Sequence, residues 1–577
     1  MNETLTPYMG APVEVAVGPR GEVANVRYSA HGAQFAPKLH AVAPGIWCHV
    51  GTYLGNSTMI EGKSGLIVVD TGDCIEHARQ NQEAVRQVCN KPLAALLYTH
   101  CHYVFGSRAW VPVEREAEVE VWAHPELMPQ MRRLVSDLSP SFVRRAAIQF
   151  GMFLPREGED AMSHQGLGPF VFELDKYQPT TGFVRPNRFS TDGQEALIDG
   201  VRVQFFHAWG DTEDSLLIWL PESRTVINNV AWPAMFNICT LRGDYFRNPV
   251  DLLRGLDKII ELQPEHLVGV HGVPISGREA IRQAVTEYRD TIQFTYDQTV
   301  RGINAGLSPD ELVQAVKLPA SLADGRLTGP FYGELPFHVR QVYSGLVGWF
   351  GKDTAELHRP TPAEQAERTI ALAGGAERVV SAVREALDKR EYAWAAQMAG
   401  WLLAGGHDTG DNRRLKARAL RAMGQVTTAS NTRSWFLTQA RELEGKVDTR
   451  VPPIRFVNAG MVRQMPVVTY VNGLRFLLPP TLSADGEKTI HLQFESPDHA
   501  FTLRLRNGVV LIAEGLQGSQ GLQGRADASV AMSFDAWARL VGREARADAL
   551  LEAGEIKLSG DVKLARAVLV AGGPIDA

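Results

Sequence analysis

The stretch LAALLYTHCHYVFG spans residues 93–106 and joins an apolar run to two histidines that lie two positions apart. The apolar part has the length and composition of a short buried strand. On extended backbone, side chains two positions apart point the same way, so we expect His100 and His102 to reach one ion. Imidazole suits borderline metals such as zinc. Taken alone, such a pair is more often two ordinary loop histidines, so its surroundings have to decide.

Short apolar runs of the same kind recur along the first part of the chain, and helical stretches lie between them. Helices are predicted over residues 75–89 and 277–303. Strand and helix in alternation predict a layered α/β fold. The other predicted strands are GLIVVD (65–70), VRVQFFH (201–207), SLLIWLP (215–221), TVINNV (225–230) and HLVGVHG (266–272).

Histidines and carboxylates follow several of these strands. Because ligands gather at strand ends in layered α/β folds, we expect some of these side chains to share a site. Asp70 is expected to orient the histidine loop from behind, and Asp73 to cap the following helix. His207 is predicted to be a core or supporting histidine. The candidates are Asp70, Asp73, His207, Asp211, Glu213, Asp214 and His271.

Composition and charge restrict the class of protein. The 577 residues include 59 Lys and Arg against 65 Asp and Glu, so the formal net charge is −6. This mild acidity argues against a nucleic-acid partner, and the ordinary composition excludes collagen-like and disordered chains. Five scattered cysteines indicate a reducing compartment. We find no secretory signal and no apolar run long enough to span a membrane, and we therefore predict a cytoplasmic protein.

Three regions differ in composition and hydropathy pattern, as expected for a chain too long for one hydrophobic core. Residues 1–355 carry the α/β pattern. Residues 356–446 are rich in Ala, Arg and Leu with apolar spacing near 3.6, which predicts an all-helical unit. Residues 447–577 alternate apolar and polar side chains, and an RNG turn joins two of the runs. This pattern predicts a small α+β domain.

Several longer segments resemble the linear alkyl sulfatases, a family of the metallo-β-lactamase superfamily. The similarity runs through GNSTMIEGKSGLIVVDTGD (55–73), RRAAIQFGMFLP (144–155), NICTLRG (237–243) and FYGELPFHVRQVYSGLVGWF (331–350). The resemblance implies an αββα sandwich over residues 1–355, a helical dimerisation domain over 356–446 and a sterol-carrier-like, lipid-binding domain over 447–577. It also implies a homodimer.

The metal motif departs from the family pattern. Members of the family carry a motif similar to HxHxDHFGG at this point and hold two zinc ions. This chain has HCHYVFGS in the same place. By this resemblance, His100 and His102 correspond to the first two metal ligands of the family. The carboxylate ligand corresponds to Asp211, with Glu213 as the alternative. The family's bridging Glu falls at Asn229 or Val230, and its late histidine is His271. We therefore expect one zinc ion on His100, His102 and Asp211, with His271 completing or flanking the site, and a degraded second site.

The resemblance also implies roles for residues around the metal. The family's sulfate site includes the TLRG segment, so Arg242 is the candidate anion ligand, with Asn237 and Thr240 as neighbouring donors. A loop-fixing salt bridge is the alternative role for Arg242. The family's leaving-group acid falls at Phe236, so Tyr103 is the candidate proton donor, with simple packing as its alternative. His271 is a candidate base.

These expectations lead to one main interpretation and two alternatives. The main one is a zinc-dependent hydrolase whose metal-bound hydroxide cleaves a sulfate ester, or a related small ester, that carries an apolar chain. The first alternative is a hydrolase or lyase of the same fold with a non-sulfate substrate. The second is a catalytically silent lipid-binding homologue. The sequence does not decide between C–O and S–O cleavage.

Overall fold

Two β-sheets pack face to face in the first part of the chain, with helices on both outer faces. The computed structural model describes residues 6–169, 172, 174, 177–323, 325–495, 499–516 and 526–572. The core between the sheets is aliphatic and contains Ile67, Leu97, Phe205, Ile218 and Val268. The strands of Ile67, Leu97, Ile218 and Val268 bury both faces, one against the other sheet and one against helices, which explains their continuous apolar runs. The expected αββα sandwich is confirmed.

The first sheet of the sandwich has seven strands in the order in which they follow along the chain. Its central strands run parallel, and a helix connects the first two of them. A separate two-stranded ribbon precedes it. The elements are β1 (Val15–Val17), β2 (Val23–Asn25), β3 (Lys38–Ala43), β4 (Ile46–Val50), β5 (Ser57–Glu61), β6 (Leu66–Val69), β7 (Leu93–Leu97), β8 (Glu120–Ala123) and β9 (Arg188–Phe189), with helices α1 (Val26–Gly32), α2 (Ile75–Arg86), α3 (Ser107–Trp110), α4 (Leu127–Arg132) and α5 (Ser139–Gln149).

The second sheet has six strands, again in sequence order. Two long amphipathic helices cover its outer face, and their buried residues join a core with the strands. The elements are β10 (Glu195–Ile198), β11 (Val201–His207), β12 (Leu216–Leu220), β13 (Thr225–Asn228), β14 (His266–Gly269) and β15 (Ile275–Ser276), with helices α6 (Pro249–Leu262), α7 (Arg278–Asn304), α8 (Pro309–Ala315), α9 (Ala320–Ala323) and α10 (Leu335–Val347). The strands and helices predicted from periodicity in both sheets are confirmed.

The region after α10 is helical, as its composition predicts. Successive helices pack against one another around buried Val383, Ala399 and Leu402. Arg421 ties this unit to the sandwich, because its guanidinium pairs with Asp160 at 2.8 Å. The helices are α11 (Pro362–Leu372), α12 (Ala376–Asp388), α13 (Tyr392–Ala404), α14 (Gly410–Val426) and α15 (Ser430–Leu443).

The C-terminal region folds as a five-stranded sheet with helices, as expected. Asn507 and Gly508 both have positive φ, 52° and 76°, and join two strands in a tight hairpin. The strands are β16 (Lys488–Phe494), β17 (Ala500–Arg506), β18 (Val509–Glu514), β19 (Ala528–Met532) and β20 (Ile556–Gly560), and the helices are α16 (Ala459–Gln464), α17 (Val467–Leu477), α18 (Phe534–Val541), α19 (Ala547–Glu552) and α20 (Val562–Gly572). Among the described helices, none is long and apolar enough to cross a membrane.

Candidate metal centre and cavity

Three of the predicted ligands come together at one edge of the sandwich. His100 and His102 follow β7, and Asp211 lies in the loop between β11 and β12. Their ligand atoms all lie within 4.8 Å of one another. His100 Nε2 is 3.4 Å from Asp211 Oδ1, and His102 Nδ1 is 2.8 Å from Asp211 Oδ2.

The backbone of the histidine pair differs from the extended form predicted above. His100 is extended, with φ −170° and ψ −178°, but Cys101–Tyr103 form a short 3₁₀ turn. The segment after β6 holds this turn in place, because the amides of Thr71 and Gly72 both donate to the Tyr103 carbonyl, at 2.8 and 3.2 Å. The two imidazoles therefore converge through a turn, with their rings nearly perpendicular at 80°.

The hydrogen bonds behind His100 determine which ring nitrogen carries its proton. The Asp70 carboxylate accepts from the Thr99 amide at 2.9 Å and from the Thr99 hydroxyl at 2.6 Å. The hydroxyl oxygen, having given its proton to Asp70, accepts from His100 Nδ1 at 2.9 Å. The proton therefore sits on Nδ1, and Nε2 presents a lone pair. Asp70 orients the loop as predicted.

The Nε2 lone pair of His100, which has no hydrogen-bond donor in the described part of the chain, is suited to bind a cation. His100 is fully buried, burial lowers its pKa to about 3, and the ring is therefore neutral. Its Nε2 has no hydrogen-bond partner among the described residues and faces a carboxylate oxygen. Two acceptors that face each other in a buried site are unfavourable unless a cation lies between them. Two imidazoles and one carboxylate are also a donor set that zinc accepts.

Asp211 is held ready as an ionised ligand. Burial would raise the pKa of its carboxyl, but the hydrogen bond from His102 and the positive charge of Arg247 hold that pKa well below its usual range. The Asn229 amide donates to Asp211 Oδ1 at 2.7 Å and to the Ser215 hydroxyl at 3.0 Å. Asn229 thus supports Asp211 from the position where the resemblance places a bridging carboxylate.

His271 faces the same cavity but lies outside the group of three. Its Nδ1 donates to the Leu54 carbonyl at 2.9 Å, so its Nε2 is an acceptor. The Tyr103 hydroxyl donates to that Nε2 at 3.3 Å. Burial lowers the pKa of His271 to about 4, so the ring is neutral. Tyr103 and His271 therefore form a pair in which the phenol proton points at the imidazole.

Two other predicted candidates point away from this group. The Glu213 carboxylate accepts from the Gln130 amide at 3.3 Å. His207 lies at the end of β11 with its Nε2 3.2 Å from the Ser190 hydroxyl, and its ring packs on His124. This position matches the supporting role predicted for His207.

A large and mainly apolar cavity opens beside the three ligands. It encloses about 860 Å³ of space outside protein atoms, part of it open to solvent. Its polar lining includes His102, Asp211, His271 and Tyr103, and α5 and the segment before it contribute apolar side chains. The apolar lining includes Leu134, Val135, Phe142, Val143, Ala146 and Phe150. An amphiphile with a polar head and an apolar tail matches this division.

Asp73 lines the cavity and does not cap α2, contrary to the prediction from the sequence. It was predicted to cap α2, but the helix begins after Cys74, and no side chain caps it. The Asp73 carboxyl instead lines the cavity. Trp232 and Tyr332 also line it without a sequence signal that singles them out. The DTGD run does mark a polar strand end, and this was the available signal for Asp73.

Arg242 reaches the cavity wall, and its guanidinium lies 4.5 Å from the centre of the Phe142 ring. It also pairs with Asp244 at 3.1 Å, which is the contact expected of the loop-fixing role, and the anion-binding role stays a prediction. Asp244 contacts Arg133 and Arg247 as well, at 2.7 and 2.8 Å. Burial opposes ionisation of Asp244, but the three guanidiniums lower its pKa to about 2. Three cations around one carboxylate leave positive charge beside the cavity.

The neighbours of Arg242 stabilise its loop. The Thr240 hydroxyl exchanges hydrogen bonds with the Gln149 side chain, and the Asn237 carbonyl accepts from Arg247 at 2.8 Å. Neither Asn237 nor Thr240 is among the residues that line the cavity. Phe236 is buried against His338, with 4.9 Å between the ring centres.

Comparisons with known families cover the three parts of the chain. Residues 50–227 match the metallo-beta-lactamase superfamily, residues 308–446 match the alkyl sulfatase dimerisation family, and residues 478–569 match the SCP-2 sterol transfer family.

Similar proteins agree with these matches. A linear primary-alkylsulfatase from Pseudomonas sp. is 34% identical over 472 residues, which covers 79% of this chain and 88% of that protein. An (R)-specific secondary-alkylsulfatase from Pseudomonas sp. is 28% identical over 544 residues, 91% of this chain and 79% of that protein. The solved structure of the stereoselective inverting sec-alkylsulfatase Pisa1 from Pseudomonas sp. has a TM-score of 0.85 at 24% identity, covering 99% of this chain and 93% of that one. The chain therefore belongs to the alkylsulfatases, a hydrolase family of the metallo-β-lactamase superfamily.

Proposed function

We propose that this hydrolase cleaves sulfate esters of apolar alcohols with the help of one zinc ion. The observation that carries the proposal is the buried His100 lone pair, which faces Asp211 at the polar end of an apolar cavity. His100, His102 and Asp211 would hold the ion. A zinc ion at such a site supplies Lewis-acid chemistry and lowers the pKa of a bound water towards about 7.

A single ion is supported by the side chains that occupy the rest of the site. Val104 and Phe105 are buried and apolar, and Asn229 donates a hydrogen bond where a bridging carboxylate would have to accept a cation. The Nε2 of His271 is engaged by the Tyr103 hydroxyl. These residues leave His271 beside the metal centre as a neutral base and Tyr103 as its hydrogen-bond partner.

The remaining groups bind the two ends of the substrate. The Arg242 guanidinium, at the cavity wall, recognises the anionic head by two-point hydrogen bonding. Thr240 and Asn237 keep its loop in place. The apolar tail lies along α5 and the preceding segment, where removal from water favours binding by about 0.8 kcal/mol for each CH₂ group.

The other two regions support a dimeric, lipid-associated enzyme. Leu346, Val347 and Trp349 form an exposed apolar segment at the end of α10, and Trp349 is 72% exposed in the isolated chain. This segment lies within the match to the dimerisation family. The proposal therefore includes a homodimer that covers it, a C-terminal domain that binds lipid, and a cytoplasmic location.

Release of inorganic sulfate from a series of primary alkyl sulfates tests the proposal. The wild type, loaded with zinc, is expected to release sulfate from medium-chain esters, and Arg242→Ala is expected to raise KM by about 100-fold through loss of a charged anion ligand. Arg254→Ala on the exposed face of α6 is the matched control. No sulfate release at any chain length by a zinc-loaded wild type would favour a non-sulfate substrate, and failure to bind zinc would favour the silent lipid-binding alternative.

A further inference from the structure

Asp73 places a buried carboxyl group in the wall of the cavity, where its ion-pair contact is a long one to a histidine. The residue is 7% exposed, and its Oδ2 has no hydrogen-bond partner within the described part of the chain. The Leu54 amide is its backbone donor. The nearest basic group is His77 on α2, with Nδ1 3.8 Å from Oδ2, which is beyond hydrogen-bond reach.

The thiol and the phenols that face Asp73 do not favour its ionised form. Besides His77, the facing groups are the thiol of Cys74 and the phenols of Tyr53 and Tyr103, and the electrostatic influence of Asp73 raises the pKa of each of these three groups. Burial raises the pKa of Asp73 itself to about 7. A carboxyl group in such surroundings keeps its proton near neutral pH, as carboxylic acids in apolar enzyme sites do.

The other polar groups of the cavity are poor proton donors. The Tyr103 proton is directed at His271 Nε2. Burial raises the pKa of Tyr332, so its phenol is a weaker acid than a carboxyl group. Arg242 does not release a proton. Among the described residues that line the cavity and are not assigned to the metal, Asp73 combines a transferable proton with an oxygen that has no hydrogen-bond partner.

We propose that Asp73, as a carboxylic acid, donates its proton to the bridging oxygen of the sulfate ester while the S–O bond breaks. The inference rests on the proposed function. A hydroxide oxygen derived from water forms the new bond to sulfur, and the bridging oxygen leaves with the electrons of the broken S–O bond. That oxygen takes the Asp73 proton, so the products are the alcohol, hydrogensulfate and the Asp73 carboxylate, which recovers a proton from solvent.

The dependence on the leaving group distinguishes this role from a structural one. An alkoxide needs a proton and a nitrophenolate does not, so Asp73→Asn should lower kcat for a primary alkyl sulfate by about 100-fold. For 4-nitrophenyl sulfate, the same variant should lower kcat by about tenfold or less. Glu334→Gln is the matched control, because Glu334 is a half-buried carboxyl outside the cavity lining that accepts from the Tyr8 and Thr427 hydroxyls. It should leave the ratio of the two rates unchanged.

Two further readouts do not depend on activity ratios. Infrared spectra of the metal-free wild type should show a protonated carboxyl band at pH 6 that disappears by pH 9, and the difference spectrum against Asp73→Asn should assign part of it to Asp73. In water labelled with ¹⁸O, the label should enter sulfate and not the alcohol.

The proposal is overturned by an equal loss for both esters, by no loss, by label in the alcohol, or by no Asp73 contribution to the band. The folded state of Asp73→Asn is checked by circular dichroism, and Asp73→Glu, which restores the acid, should recover part of the alkyl rate. If the wild type hydrolyses neither ester, the proposed function fails, while the infrared band still tests the state of Asp73.

Discussion

At the residue scale, the chemistry of the site depends on where protons lie. The strand pattern of the sequence predicts His100 and His102 with Asp70 behind them, and the resemblance to the alkyl sulfatases selects Asp211 from the acidic residues of its loop. The sequence does not predict the proton on His100 Nδ1, because that position depends on the order in which Asp70, Thr99 and His100 contact each other. Nor does it predict the direction of Asp73, which follows from the contact between the DTGD turn and the histidine turn.

Removal of the Thr99 hydroxyl should weaken metal binding without touching a ligand. In Thr99→Val, His100 loses the acceptor for its Nδ1 proton, and we expect zinc affinity to fall by about 10- to 100-fold. Competition with a chromogenic chelator measures the affinity. Thr291→Val, a buried threonine on α7 far from the ligands, is the control and should keep wild-type affinity. Equal affinities for both variants would contradict the role of Thr99.

The raised pKa of Asp73 makes the stability of the metal-free protein depend on pH. The ordinary carboxyl pKa of the unfolded chain is near 3.9, so the folded state holds an extra proton between about pH 4 and 7. Stability is therefore lost progressively as pH rises from about 4 to about 7, and this carboxyl group contributes no further loss above that range. Asp73→Asn has no carboxyl group to ionise and should avoid this loss of up to about 4 kcal/mol. The Tm of the variant minus that of the wild type should therefore be larger at pH 8 than at pH 5. A constant difference in Tm across this range would contradict a raised pKa.

At the scale of elements, the strands and the long helices follow from apolar periodicity, and the irregular wall of the cavity does not. Arg133–Asp137 form a π-helix between α4 and α5. Its residue Ser136 donates to the Thr469 carbonyl of α17 at 2.8 Å, so a contact distant in sequence accompanies the wider turn. Periodicity within a short window carries no information about such a contact. This segment and α5 contribute Leu134, Val135, Phe142, Val143 and Ala146 to the apolar wall.

The wall formed by α5 should determine the length of the substrate chain. Ala146 is buried at the cavity surface, and Ala146→Phe places a ring in the space assigned to the tail. We expect KM for a dodecyl ester to rise by about tenfold or more, with a smaller change for a hexyl ester. Steady-state kinetics over the chain-length series measure this, and Ala147→Phe would report general overpacking of the same helix. A uniform change in KM across chain lengths would refute the assignment of the wall.

At the scale of the whole molecule, the three-part organisation could be predicted because each region has its own texture and resembles a known domain. The contacts that join the regions could not, because they rely on single polar pairs such as Arg421 with Asp160. Leu346, Val347 and Trp349 are among the apolar side chains that the isolated chain exposes, and in our proposal a second copy of the chain covers them.

Substitution of Trp349 should separate the proposed dimer. Trp349→Glu puts a charge into the apolar segment, and we expect the dimer to weaken by about 2 kcal/mol or more. Light scattering coupled to size-exclusion chromatography measures the mass at several concentrations. Leu197→Glu, an exposed leucine on β10 in the sandwich, is the control. A wild type that is monomeric at high concentration, or a Trp349→Glu variant as dimeric as wild type, would contradict the assignment of this surface.

The most direct test of the account is the zinc content of the full-length protein after incubation with zinc and removal of loosely bound metal. The lone pair of His100 and the carboxylate of Asp211 predict about one zinc per chain, retained in His124→Ala and lost when His100 and His102 are both changed to alanine. A wild type that retains no zinc, or one whose zinc content survives the loss of both histidines, would contradict the account.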